Sequence, residues 1–127
     1  MTLRRTNERG QATVEFVLCL PIAALLLGVL IEVGLLVGDY VRLWHAARES
    51  ARIAIVDSDP QEIESAAEHG GLSPVEVEVD PEFADRGIGR PLTVTVSYRP
   101  SGRLPLLGRL IADRTLTSSA TMRIEQP

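Results

Sequence analysis

Arg9-Gly10-Gln11-Ala12-Thr13-Val14-Glu15-Phe16-Val17-Leu18-Cys19-Leu20-Pro21 opens a run that stays apolar to Gly38, and its reading decides the architecture of the chain. Between Phe16 and Gly38 the only ionisable side chain besides Cys19 is Glu32. As a helix rising about 1.5 Å per residue, this stretch covers roughly 34 Å, enough for a hydrocarbon core of ~30 Å. One transmembrane helix over about residues 16–38 is the economical reading. Glu15 stands at its entrance, where an ionised carboxylate costs ~3 kcal/mol on insertion scales and so asks for a functional reason.

Other N-terminal apolar segments fit less well. A secretory signal peptide has a shorter apolar stretch and a small-residue cleavage site beyond it, whereas here Glu32-Val33-Gly34-Leu35-Leu36 follows. A lipoprotein anchor needs a small residue before its cysteine, and Leu18 precedes Cys19. The arginines on the two flanks, Arg4, Arg5 and Arg9 against Arg42, Arg48 and Arg52, are nearly balanced. Keeping the short head in the cytoplasm and exporting the larger C-terminal part is the simpler topology.

The periodic pattern continues past Gly38 to about Val56, so one helix of about forty-five residues, near 67 Å long, is expected. Pro21 removes a backbone donor, and a bend or loosening is expected there rather than an end. Ala24, Gly28, Gly34 and Gly38 share a half-turn arc suited to close helix packing, with Glu32 at its edge. Glu32 then faces either a partner helix or an exit route to the outer surface by snorkelling. Tyr40 and Trp44 suit the outer interface. Beyond them Ala46, Ala47, Ser50, Ala51 and Ala54 form a small-residue seam, better suited to packing on a sheet than to a subunit contact.

Residues 57–127 read as a small exported α+β domain whose own core is marginal, so support from the long helix or from neighbouring subunits is expected. Asp59-Pro60 with Glu62 and Glu64 starts a short helix, and Gly70-Gly71 stops it. Three alternating stretches follow: Val75, Val77 and Val79; Leu92, Val94, Val96 and Tyr98; Leu116, Ala120, Met122 and Ile124. They predict a three-stranded antiparallel sheet with one face on the helix extension. Between the last two strands Leu106, Leu107, Leu110 and Ile111 recur at helical spacing after Pro105, among Arg103, Arg109 and Arg114; a small helix that completes the core is the better reading of them, ahead of a partner-binding or membrane-touching element.

The net charge is −4, and all thirteen basic residues are arginines. That balance gives nucleic acid no general attraction. Asp57 to Asp85 holds ten carboxylates and no arginine, whereas Arg86 to Arg123 holds seven arginines and one carboxylate, Asp113. Two solvated faces that partly pair explain this better than head-to-tail ordering of subunits. His45 and His69 lack a metal-ligand spacing, no nucleophile elbow or phosphate loop is present, and Cys19 has no partner for a disulfide. The expectation is a non-enzymatic protein without metal or cofactor.

Gly10, then Glu15 and Phe16, then an unbroken apolar helix, resembles the processing site of type IV pilin-like precursors. Together with Leu20-Pro21 and Ala46-Ala47-Arg48-Glu49-Ser50-Ala51-Arg52, the pattern is similar to the TadE family of minor pilins or pseudopilins of tight-adherence (Flp-type) pilus systems. The resemblance implies a ten-residue leader, cleavage after Gly10 by a prepilin peptidase, and Gln11 as the mature N-terminus. It implies as partners that peptidase, the major or other minor pilins, the inner-membrane assembly platform and membrane lipids. It also makes Glu15 and Phe16 the assembly motif. A new α-amino group and a carboxylate, both beside a low-dielectric phase, are costly apart and compensate when paired, so Glu15 of one subunit would engage Gln11 of the next and fix axial register. The alternative is an uncleaved single-pass anchor whose exported domain binds another envelope or secretion component.

Overall fold

The computed structural model describes residues 8–56, 59–82, 85, 87–100, 105–111 and 114–125; for Glu8, Arg9 and Ile111 it describes the backbone alone. Arg4, Arg5, Asp57, Arg86, Arg103 and Asp113, used above for topology and charge distribution, lie outside the described residues.

The dominant element is helix α1, Glu8–Ala54, 47 residues long and continuous through Pro21. Its apolar part carries a mean hydropathy of 2.7 over its most apolar window, and it is the one helix among the described residues long and apolar enough to cross a membrane. From Gly10 to Leu27 every residue is exposed, and from Glu32 onward one stripe is covered. Glu32, Asp39, Leu43, Ala46, Ala47, Ser50, Ala51 and Ala54 are buried, at the three- and four-residue spacings that keep side chains on one face of a helix.

The covering domain begins with α2, Pro60–Glu68. Asp59 caps it, its side chain accepting a hydrogen bond from the Gln61 backbone N–H at 2.9 Å, and Pro60 takes the first helical position, where the missing N–H costs nothing. Gly71 ends the turn that follows with φ +78°, a left-handed conformation that suits glycine. Gly70 lets the chain pass close to α1: a Cβ there would stand 3.4 Å from the Ala46 Cβ and 3.5 Å from the Arg42 carbonyl oxygen. Ile63, Ala66 and Ala67 form the buried face of α2, and the Ser50 hydroxyl of α1 donates to the Ile63 carbonyl at 3.1 Å inside the contact.

Strands β1 (Val75–Asp80), β2 (Pro91–Tyr98) and β3 (Leu116–Arg123) form an antiparallel meander in the order β1-β2-β3. Val77 pairs with Val96 and Val94 with Ala120, so the apolar sets of all three strands share a face. Leu92, Val94, Val96 and Tyr98 of central β2 are buried. That face rests on α1, which meets β2, β3 and α2, while α2 also meets β1. The seam of alanines around Ser50 is therefore the floor on which the sheet sits, as its small side chains suggest. Ile124 lies just beyond β3 and joins the core, held by reciprocal backbone bonds with the turn before β2: its N–H donates to the Arg90 carbonyl at 3.0 Å and its carbonyl accepts from the Gly89 N–H at 2.9 Å.

The small helix between β2 and β3 does not follow the expectation. It is α3, Gly108–Ile111, a single turn after the Pro105–Leu107 turn, and it does not complete the sheet core. Leu106 is 44% and Leu110 76% exposed, and neither belongs to the core cluster. The sheet's inner face is already filled by α1 and α2, so the segment instead lies against α1 at Gly28 and Glu32.

Candidate functional site

Two places on α1 carry chemistry. The first is its N-terminal end. Gly10 and Gln11 lie within the first turns, and a Cβ added at Gly10 would meet nothing within 4 Å. One turn on, Glu15 is exposed and its Oε1 accepts a hydrogen bond from the Gln11 side-chain amide at 3.1 Å. The 3.6-residue repeat puts positions four apart on one face, so Gln11 and Glu15 are side by side. Phe16 is 68% exposed on the neighbouring surface, with Val14, Val17 and Leu18. This end of the helix presents a polar pair on an otherwise apolar rod.

The second place is Glu32, 4% exposed. Its Oε1 accepts from the Leu106 backbone N–H at 2.7 Å and its Oε2 from the Leu107 N–H at 2.6 Å. Two consecutive amides pointing at one carboxylate form a small anion-holding concavity, and bonds to an ionised acceptor are the short, strong ones. Leu106 also leans on Gly28, where an added Cβ would stand 3.0 Å from its Cδ1. Glu32 is thus engaged by a loop of its own chain, neither facing a partner helix nor snorkelling outward. Nothing local in the sequence announces this partnership, since the amides lie 74 and 75 positions away. The one available signal was the cost of an unaccompanied carboxylate in an apolar run.

The small-residue arc accordingly divides. Gly28 and Glu32 meet the loop, Ala24 is exposed along the bare part of the helix, and Gly34 and Gly38 line a shallow cleft with Leu35, Asp39 and Arg42. An added Cβ at Gly34 or Gly38 would meet nothing within 4 Å. Asp39 is held by Arg42 at 3.8 Å. Farther along, Arg48 stacks over the Trp44 ring at 4.8 Å from its centroid, with His45 edge-on to the same ring at 5.0 Å between centroids. Among the described residues no group of three or more His, Cys, Asp or Glu side chains is arranged to hold a metal ion.

The chain matches no curated protein and no solved structure. Residues 10–52, from Gly10 at the head of the exposed apolar helix to Arg52 at the end of the covered seam, match the family model described as TadE-like protein.

Proposed function

We propose that the protein is a minor pilin or pseudopilin of a tight-adherence (Flp-type) pilus system, made as a membrane-anchored precursor and cut after Gly10 by a prepilin peptidase. The observation that carries this reading is the side-by-side placement of Gln11 and Glu15 at the head of a bare apolar helix. Cleavage would expose an α-amino group on Gln11, one turn from a carboxylate that its own side chain now occupies. A neighbouring subunit's Gln11 amino group, being charged, would displace that amide and bind Glu15 more strongly, because charge-assisted bonds exceed neutral ones about twofold. The bare surface of α1 serves first as the membrane span and then as the packing surface within an assembly. The work is structural, with no metal or cofactor. Its partners are the prepilin peptidase, the major or other minor pilins, the inner-membrane platform and the lipids around the helix, with the N-terminus cytoplasmic and the sheet domain outside.

One observation favours the alternative of an uncleaved anchor: Gly10 and Gln11 are already helical, so the bond between them must unwind before a peptidase can hold it. The first turn of a helix lacks half its backbone bonds and opens at low cost, which keeps cleavage feasible. Intact-mass and N-terminal peptide analysis of the protein from its native membrane, with and without the host's prepilin peptidase, separates the two. A mature terminus at Gln11 that depends on the peptidase supports the pilin reading, and a chain that keeps residues 1–10 in both strains overturns it.

A further inference from the structure

The 105–111 segment is the part of the exported domain that the assembly reading leaves without a role. Its position along α1 can be placed against a bilayer by length alone. A ~30 Å hydrocarbon core takes about 20 helical residues. Arg9 is charged, so the earliest the apolar crossing can begin is Gly10 or Gln11, and it then extends to Leu30 or beyond; begun at Phe16, it extends to about Leu35. Gly28 lies inside the crossing in both registers, and Leu106 touches Gly28. The residues of α1 around that contact, Leu27, Leu30, Ile31 and Val33, are all exposed, so the loop and the bare helix form one continuous apolar surface at the same height.

We infer that residues 105–111 form a tongue dipped into the outer leaflet, a second membrane contact whose occupant is the phospholipid bilayer that α1 crosses, with Glu32 as the internal partner that makes the dip possible. The inference rests on the reading of α1 as a spanning helix. Lipid-exposed irregular backbone does not enter the hydrocarbon core, so the dip reaches only the headgroup–acyl boundary, and there each N–H held within the protein lowers its cost. Pro105 brings no N–H, the Leu106 and Leu107 N–H groups are taken by Glu32, and the Leu110 N–H donates to the Leu107 carbonyl at 2.8 Å. Leu110 then points an almost bare side chain at the lipid. Arg109 within the tongue and Arg114 beyond it, both exposed, supply the charge that lipid phosphates pair with, their long stems letting the guanidinium groups reach the headgroups. The same contact accounts for Glu32: the carboxylate in the apolar run is the acceptor for two amides that would otherwise enter the leaflet unpaired.

Site-directed nitroxide labelling of the full chain in phosphatidylcholine–phosphatidylglycerol vesicles tests this. In a Cys19→Ser background, single labels go at Leu110→Cys, at Leu26→Cys on the bare helix, and at Thr117→Cys on the exposed face of β3. The expected result is high oxygen accessibility and loss of accessibility to a water-soluble nickel chelate at position 110, matching position 26 and opposite to position 117. Nickel accessibility at 110 equal to that at 117, with 26 still protected, overturns the tongue while leaving the spanning helix intact. A label at 110 shielded from both reagents also overturns it, since protein rather than lipid then covers the loop. Nickel access at 26 removes the spanning reading and the tongue with it.

Discussion

Glu32 concentrates two strong hydrogen bonds on one side chain, and its removal should be felt far from its place in the sequence. Glu32→Ala leaves two amides without an acceptor, and leaving a buried donor unsatisfied costs about 1–3 kcal/mol. Amide hydrogen exchange of the full chain in lipid or detergent should show faster exchange at Leu106 and Leu107 for Glu32→Ala than for Glu32→Gln, which keeps one acceptor oxygen. Equal protection in all three proteins would mean that the contact contributes nothing. Glu15 behaves oppositely, because it is exposed and its hydrogen bond is to the Gln11 side chain one turn away. On the pilin reading, Glu15→Ala should leave membrane insertion and thermal stability unchanged and impair pilus assembly, which the yield of sheared pili would reveal; normal pilus formation would count against the pairing of Glu15 with Gln11. At Gly71 the left-handed backbone makes an alanine costly, and Gly71→Ala should lower stability by about 1 kcal/mol in a denaturant titration.

The elements themselves were largely readable from periodicity and caps. Asp59-Pro60 announced α2 because an Asx side chain and a proline each solve a problem specific to a helix start, and Asp59→Ala should cost about 1 kcal/mol of domain stability. The three strands announced themselves by alternation, and their register follows from keeping every apolar set on one face. The alanine seam was legible for a similar reason: small residues at helical spacing signal a close approach. Ala47→Leu, at a fully buried position under the sheet, should destabilise by about 1–3 kcal/mol through overpacking, measured by chemical denaturation in micelles. The segment 105–111 misled because four apolar residues at helical spacing look alike whether they cover a core or lie along a helix outside it. Only one turn of α3 forms, and its leucines stay outside the core.

Across the whole molecule, α1 is shared between two environments, a bare half suited to lipid or to neighbouring helices and a half that supplies the floor of the sheet domain. Leu43, Ala47, Ala51, Ala54 and Ile55 belong to the same core cluster as Leu92, Val94 and Val96. A fragment starting at Glu32 should therefore keep the dispersed amide spectrum of a folded domain, whereas one starting at Asp57 should collapse to that of an unfolded chain, having lost one side of its core. Folding of the shorter fragment would show that the sheet and α2 suffice alone.

Local chemistry in the chain was enough to establish the long helix, its apolar run, the start of α2 and the three-stranded meander. Each of these depends on periods of 3.6 or 2 residues or on a side chain acting within a few positions of itself. What lay beyond local reading was the identity of the surfaces that meet. An apolar face declares that it needs cover without declaring what covers it, and a carboxylate in an apolar run declares that it needs donors without saying where along the chain they come from. The partnership of Glu32 with Leu106 and Leu107 spans more than half the chain and uses backbone amides, groups that every non-proline residue carries. No side-chain pattern can single them out until the sheet has packed on α1 and brought the β2–β3 connection down to Gly28.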